Sequence, residues 1–278
     1  MTNIRRVDPL APYVGAKAEH WKARTRSPEY QKAYDNIMAD MMKKRLQGDV
    51  LVEIACGMGE MLRRAYEQRA YRLLVGTDSS MDMLTKARAS LQSAGIEAHL
   101  VNADELPQHT EGIVLVRDNI HSSKLPSQFA DTVLFTFPEV IGTYQEEDPL
   151  DGFIIERCMA TGYPANKGDY YKMIMGFRQA YHQARIAKVG AFRISTQYAV
   201  SGGDKAEARA KRHGGKDQEK LEALGKVVGV RFKDQRFLPS PGVGKDITSS
   251  PAVSKGVRVR KGFRIITEQK TEHIEMSG

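Results

Sequence analysis

Two short stretches of the sequence carry residues whose types and spacing could bind a ligand that contains a sugar. The aliphatic run 50–54 leads to Gly57 and Gly59, which predicts a buried strand, a tight turn and a helix N-terminus. Such a turn lets backbone N–H groups approach a ligand closely. A second strand over 72–77 ends at Asp78, whose carboxylate could accept both hydroxyls of a ribose. Because ligands bind beyond the carboxyl ends of parallel strands, one site is expected there.

The residues around the turn extend this signal into two motifs. The first reads Glu53-Ile54-Ala55-Cys56-Gly57-Met58-Gly59, and the second reads Gly76-Thr77-Asp78-Ser79-Ser80. Together they resemble the first two motifs of the class I S-adenosylmethionine-dependent methyltransferases. Ala55 stands at the position of that family's first glycine, a change that should narrow the turn slightly without blocking it. The resemblance covers roughly residues 48–267.

The resemblance implies S-adenosylmethionine as the cofactor. Gly57 and Gly59 would admit the amino-acid end of the donor, and Glu53 would order the turn. The carboxylate of Asp78 would hold the ribose. The residues that the resemblance implies for this part of the cofactor site are Glu53, Ala55, Gly57, Gly59, Asp78 and Ser79. A nicotinamide oxidoreductase is the least favoured reading, because Leu62 stands where a dinucleotide fingerprint would have its third Gly or Ala.

Two acidic positions compete for the family's third motif, which contacts the adenine. The stretch 98–103 leads to Asp104, and the stretch 112–117 leads to Asp118 and Asn119. The distance from Asp78 favours Asp104, whereas the distance to the next strand favours Asp118. One of the two stretches is expected to be an insertion, with a slight preference for Asp118 as the contact.

The methyl acceptor is expected beyond the strand 131–136. Phe137 could pack against a planar acceptor, and Glu139 could orient or deprotonate one. An equally open alternative makes Phe137 a core residue and Glu139 a helix cap. The long segment 139–169 is interpreted as an acceptor-binding lid with Tyr144 as a candidate contact.

The residues ahead of the first strand are interpreted as an N-terminal helical cap over 1–48, with the methyltransferase domain over 49–278. A helix is predicted to begin near Pro28. In the resembled family this part often folds over the cofactor and acceptor, which makes Tyr13 and Trp21 candidate acceptor contacts. Plain surface packing of these residues is the alternative.

The order of strands and helices predicts an α/β, Rossmann-like, doubly wound fold. Its mostly parallel sheet is expected to have seven strands. The last two strands, near 227–237 and 257–267, would form a C-terminal antiparallel pair, and the lid would be inserted after the fourth strand.

Composition sets the remaining expectations. A formal charge of +8 and a pI near 9.3 suit a basic soluble enzyme, although an RNA partner would also fit. Cys56 and Cys158 are the only cysteines, which favours free thiols in a reducing cytoplasm. The first ten residues lack the apolar core of a signal peptide, no apolar run is long enough to predict a membrane span, and the histidines and cysteines show no metal-ligand spacing.

The leading hypothesis is an S-adenosylmethionine-dependent methyltransferase that acts on an oxygen or nitrogen of a small molecule. The first alternative is an RNA methyltransferase, because residues 53–60 and 134–139 are loosely similar to the tRNA guanine-N7 methyltransferases. That similarity ends after Glu139. The second alternative is a catalytically silent binding protein of the same fold.

Overall fold

Strands and helices alternate along the part of the chain that the computed structural model describes, which comprises residues 14–44, 48–106, 109–137, 148–163, 167–202, 219, 221–239 and 259–274. The helices are α1 (Ala16–Thr25), α2 (Pro28–Lys43), α3 (Glu60–Glu67), α4 (Met81–Ser93), α5 (Pro149–Ala160) and α6 (Lys167–Ile186), with a further helical segment at 221–228. The strands are β1 (Val50–Ile54), β2 (Leu73–Asp78), β3 (Ala98–Val101), β4 (Gly112–Arg117), β5 (Ala130–Phe135), β6 (Ala187–Gly202), β7 (Val230–Pro239) and β8 (Val259–Lys270). No helix among these residues is both long and apolar enough to cross a bilayer.

One sheet contains all eight of these strands, in the order β3-β4-β2-β1-β5-β6-β8-β7. Strands β1 to β6 pair in parallel, and β8 pairs antiparallel to both β6 and β7. The predicted mostly parallel sheet with a C-terminal antiparallel pair is confirmed. Helices that connect parallel strands cover the sheet on its faces, which is why the strands are buried on both sides.

The sheet has eight strands among the described residues, so the prediction of seven was wrong. Both stretches that competed for the third motif are strands. The central one is β4, which pairs with β2 from Leu73↔Gly112 to Asp78↔Arg117. The four-residue strand β3 is added outside it and forms the edge. A short strand of this kind is a common way to end a sheet.

Alternation along β1 shows how the two faces are filled. Leu51 packs in a core with α1, α2, α3 and α4, whereas Val52 and Ile54 pack in a second core on the opposite face. A third core joins α5, α6 and the segment 227–230. Helices α1 and α2 therefore share their core with the sheet, and the N-terminal region is part of the same packed body.

The described part of the segment 139–169, which was interpreted as a lid, includes α5, and α5 does not lie over the carboxyl edge of the sheet. Helix α5 buries Leu150, Ile154 and Ile155 in the third core, and its Arg157 Nε donates to the carbonyl oxygen of Val227 at 3.1 Å. Arg157 also pairs with Glu272, just after β8, at 3.6 Å. Because β8 ends beside the beginning of β6, this contact lies at the amino edge of the parallel strands. The lid interpretation is therefore not supported for α5.

The aromatic cluster beneath β5 gives a stability prediction. Phe137 is 1% exposed and packs edge-on against Tyr30, Tyr34 and Phe263, with ring centroids 5.1–5.7 Å away. Phe137→Ala should lower the free energy of unfolding by about 3–5 kcal/mol in urea denaturation, because it leaves a cavity between three rings. Met159→Ala, at a side chain that is 54% exposed, is the control and should change it by less than about 0.5 kcal/mol. A loss of similar size in both variants would contradict the assignment.

Candidate functional site

The glycine turn at the end of β1 has an unusual backbone. Ala55, Gly57 and Gly59 all have positive φ angles, of 54°, 55° and 72°. Gly59 is the N-cap of α3, and the Gly59 N–H donates to the carbonyl oxygen of Cys56 at 2.8 Å. The left-handed conformation costs Ala55 roughly 1–2 kcal/mol, which the surrounding contacts must offset. The turn that the sequence predicted is therefore present, with an alanine held in a conformation that favours glycine.

Asp78, the last residue of the neighbouring strand β2, forms a hydrogen bond with this turn. One carboxylate oxygen, Oδ2, accepts the Gly57 N–H at 3.1 Å, and Oδ1 accepts the Ser80 N–H at 2.9 Å. Desolvation raises the pKa of Asp78 to about 6, although the backbone donors, including Ser79, act in the opposite direction. The carboxylate is still ionised at neutral pH. It lies half-buried at the carboxyl edge of the sheet with lone pairs left to accept further hydrogen bonds.

The third acidic position is Asp118, at the end of β4. Its backbone N–H donates to the carbonyl oxygen of Asp78 at 3.1 Å, which places the two residues side by side. Asp118 is buried, and its Oδ1 accepts the Lys124 N–H at 2.9 Å. Asn119 follows, and its Oδ1 accepts the His121 N–H at 3.1 Å. Asp104 is exposed and follows the edge strand β3, one strand further from Asp78.

Glu53 is a buried carboxyl group inside the sheet. It is 2% exposed, and its Oε1 accepts a hydrogen bond from Thr136 Oγ1 at 2.8 Å. Among the described residues, Oε2 has no hydrogen-bond partner. Burial raises the pKa of Glu53 to about 8, so the group is mostly neutral at pH 7. The neutral group has an O–H that can donate a hydrogen bond next to the turn, and a buried oxygen of this kind calls for an explanation.

Aromatic residues of the N-terminal helices border the same region. Tyr34 on α2 is buried near Glu53, and burial together with that carboxyl group raises the pKa of the Tyr34 hydroxyl well above 10. The indole of Trp21 on α1 lies against the glycine turn: a Cβ built on Gly57 would be 2.9 Å from Trp21 Nε1. The side chain is 9% exposed. Helix α1 therefore forms a wall over the turn.

No protein-family model and no curated protein sequence matches the chain. Solved structures do match in fold. One is magnesium protoporphyrin IX methyltransferase from Synechocystis PCC 6803 with bound S-adenosylhomocysteine, with 13% identity, a TM-score of 0.51 and coverage of 93% of this chain and 96% of that chain. Another is geranyl diphosphate C-methyltransferase from Streptomyces coelicolor A3(2), with 12% identity, a TM-score of 0.50 and coverage of 90% and 84%.

The chain has the class I methyltransferase fold. The predicted resemblance is confirmed at this level. Within the methyltransferase fold, the carboxyl edge gathers the predicted positions Glu53, Ala55, Gly57, Gly59, Asp78, Ser79, Asp118 and Asn119. Asp104 lies apart from them.

The acceptor-side predictions have a different outcome. Phe137 lies in the core and does not face an open cavity in this structure, because α2 packs over it. Its backbone N–H donates to Thr196 Oγ1 at 2.6 Å. Trp21 is packed on the turn and not on the plain surface. Tyr13, Glu139 and Tyr144 lie outside the described residues.

Sequence reasoning missed the polar and aromatic residues that surround Glu53. Tyr30 and Tyr34 recur at i and i+4 on α2 and are both buried. A buried tyrosine hydroxyl usually needs a polar partner, so these two residues on the buried face of α2 could have indicated a polar group inside the core. Thr136, one residue after β5, became identifiable only when β5 was seen to pair with β1.

The shifted pKa of Glu53 predicts how stability depends on pH. The pKa of Glu53 is raised from 4.5 to about 8 in the folded protein. The contribution of Glu53 to the free energy of unfolding is therefore fully present below pH 4.5 and is lost as pH rises through 8. Glu53→Gln keeps an acceptor for Thr136 and cannot ionise. The variant should therefore gain stability relative to the wild type between pH 5 and pH 8.5, by a few kcal/mol, in urea denaturation at a series of pH values.

The matched control for this measurement is Glu97→Gln, an exposed carboxylate ahead of β3. It should leave the unfolding free energy within about 0.5 kcal/mol of the wild-type value. Parallel pH profiles for the wild type and Glu53→Gln would show that Glu53 ionises normally in the folded protein.

Proposed function

We propose that the protein is an S-adenosylmethionine-dependent methyltransferase that transfers a methyl group to an oxygen or nitrogen of a small-molecule acceptor. The observation that carries the proposal is the hydrogen bond of 3.1 Å between the Gly57 N–H and the Asp78 carboxylate. It joins the glycine turn and an acidic group at the tips of two adjacent parallel strands, where ligands of such sheets bind.

The residues present fit the cofactor. Asp78 is oriented by backbone donors and keeps lone pairs for two ribose hydroxyls. Asp118 and Asn119 follow the adjacent strand and suit the adenine. The unpartnered Oε2 of Glu53 lies at the other end of the turn and suits the polar amino-acid end. These groups follow β4, β2 and β1, which are neighbours in the sheet in that order. An elongated cofactor would therefore lie across the three strand ends, with its adenine near β4 and its amino-acid end near β1.

The chemistry requires little of the protein beyond binding. The cofactor supplies an activated methyl group on a sulfonium with a neutral leaving group. Alignment of the acceptor with that methyl group is therefore the main task of this chain's residues. Glu139 and Tyr144 stay as the proposed groups for orienting or deprotonating the acceptor, since they follow β5 in the sequence.

A small-molecule acceptor is supported by the walls of the site. Helix α1 places the indole of Trp21 against the glycine turn at the carboxyl edge, which suits enclosure of a compact acceptor. The two neighbours described above carry the names of enzymes that methylate a porphyrin and a geranyl diphosphate, which are both small molecules.

Binding of S-adenosylhomocysteine tests the cofactor assignment. Asp78→Ala should raise the Kd at least about 30-fold in isothermal titration calorimetry, because it removes a charged acceptor for two hydroxyls. Asp104→Ala is the matched control and should leave the Kd within about twofold. Circular dichroism of both variants checks that they fold, since Asp78 also binds the Gly57 N–H. Equal affinities in the two variants would remove the ribose assignment.

The same measurement has an expected pH dependence. Protonation of Asp78 removes acceptor capacity, and its pKa is about 6 in the free protein. Ligand binding that needs the carboxylate must therefore weaken as pH falls through 6, by up to about tenfold per pH unit. A Kd that is constant between pH 7.5 and pH 5 would contradict this role.

Transfer itself is tested with S-adenosylmethionine labelled on its methyl group, incubated with the protein and an extract of its source cells. Label should enter the small-molecule fraction, and Asp78→Ala should abolish the transfer. Label confined to the RNA fraction would overturn the acceptor class while keeping the reaction.

A further inference from the structure

A cavity lies at the amino edge of the sheet, opposite to the edge that carries the glycine turn. Its volume is about 640 Å³, which is within the range of small-molecule sites. The C-terminal half of α5, the helical segment 221–228, the beginning of β7 and the two residues after β8 surround it. The pair Phe192↔Gln269 places the end of β8 beside the beginning of β6, and β7 begins next to the end of β8.

Arg157 on α5 lines this cavity with a guanidinium group that the fold already holds in place. Its Nε donates to the carbonyl oxygen of Val227 at 3.1 Å, and its Nη2 donates to that of Lys226 at 3.2 Å. Among the described residues, Nη1 has no hydrogen-bond partner, and the side chain is 29% exposed. A guanidinium group that is fixed on one side and open on the other loses little conformational freedom when it binds an anion.

The charged groups around Arg157 leave room for an anion. Glu272 is its acidic partner, but the two charged groups are 3.6 Å apart and the Glu272 side chain is 59% exposed, so the pair is weak. Lys226 and Arg231 are exposed cationic residues that also line the cavity, and Glu222 is its second carboxylate. The lining therefore has more cationic than acidic residues, and an incoming anion can replace Glu272 at the guanidinium group.

One wall of the cavity is apolar. Val230 and Phe232 are two residues apart on β7, so their side chains lie on the same face of the sheet. Val230 is 5% exposed and packs in the third core, whereas Phe232 is only partly buried. A partly buried phenylalanine in the wall of a cavity offers a surface on which a planar ring can stack.

We propose that this cavity is a second ligand site, separate from the cofactor site, and that it binds a small molecule that carries a phosphate group and a planar ring. Arg157 and Lys226 hold the phosphate by charge-assisted hydrogen bonds, and the ring lies against Phe232. A nucleoside monophosphate carries both groups, which makes it a suitable probe. The proposal goes beyond the methyltransferase function and does not depend on it.

Isothermal titration calorimetry of the full-length protein with guanosine monophosphate tests the site. Inorganic phosphate should bind at least about tenfold more weakly, because it has no ring to stack on Phe232. Lys226→Ala should raise the Kd for guanosine monophosphate about three- to tenfold, since it removes a charged partner. Arg157→Lys keeps the charge, loses the planar fork and should raise the Kd by a similar factor. Glu272→Gln should lower it about two- to threefold, because a competing carboxylate is removed.

Two further variants separate the ring from the phosphate and supply the control. Phe232→Leu should raise the Kd for guanosine monophosphate about fivefold and leave that for inorganic phosphate within about twofold, because only the nucleotide has a base to stack. The matched control is Arg72→Ala, which removes another exposed cation at the amino edge, just before β2. It should leave both Kd values within about twofold. Circular dichroism checks that each variant folds.

The outcomes separate this site from the cofactor site. Absence of binding of both probes would overturn the proposal, and so would a Kd that changes as much in Arg72→Ala as in Lys226→Ala. Loss of guanosine monophosphate binding in Asp78→Ala would place the nucleotide at the carboxyl edge and would also overturn it. A wild type that binds guanosine monophosphate with the expected variant effects, but not S-adenosylhomocysteine, would support this site and overturn the proposed function.

Discussion

The site depends on the parallel pairing of β1 with β2, which is in register from Val50↔Leu73 to Ile54↔Thr77. This pairing brings the glycine turn and Asp78 to the same edge, where the carboxylate binds the Gly57 N–H. The geometry of the site also depends on the glycine at position 76 in β2. A Cβ there would lie 2.5 Å from the side chain of Leu62 on α3 and 3.0 Å from Cys56 Sγ. The close packing of α3 and the turn against β2 thus requires glycine at this position. A larger residue at 76 would push both α3 and the turn away from β2.

Two acidic side chains lie near this turn, and burial raises the pKa of both. Burial is the largest cause in both cases, and it is more complete for Glu53, which is 2% exposed, than for the half-buried Asp78. Asp78 accepts backbone N–H groups that stabilise the charged form, so its pKa of about 6 leaves it ionised at neutral pH. Glu53 accepts a hydrogen bond from the Thr136 hydroxyl at 2.8 Å and interacts with the backbone N–H of Leu62, but burial outweighs both, and its pKa of about 8 keeps it mostly neutral. One edge of the sheet therefore carries an ionised carboxylate beside a neutral carboxyl group that can donate or accept a hydrogen bond.

Local patterns were enough to predict most of the fold. The aliphatic run of β1, the glycines after it and Asp78 at the end of β2 each determine local structure through backbone conformation or burial, and these predictions agree with the structure. The choice between Asp104 and Asp118 could not be made locally, because both follow genuine strands. It depends on which strand pairs with β2, and pairing partners are a property of the whole sheet. The packing partners of Trp21 and Phe137 could not be predicted for the same reason. The aromatic side chain itself favours burial, but it does not indicate which helix or strand it will pack against.

The two N-terminal helices share one core with the sheet but differ in their polar contacts. Helix α2 is tied to the far end of the sheet, where Asp40 accepts a hydrogen bond from Arg236 at 3.2 Å and Lys44 pairs with Asp234 at 2.8 Å. Its aromatic rings pack on Phe137, so displacement of α2 would expose the core beneath β5. Helix α1 buries Ala18 and Trp21 in the core that it shares with the sheet, and its polar contacts with α4 are a backbone hydrogen bond and an exposed ion pair. Both N-terminal helices therefore contribute to the core on one face of the sheet, and α2 is also joined to the far end of the sheet by charged side chains.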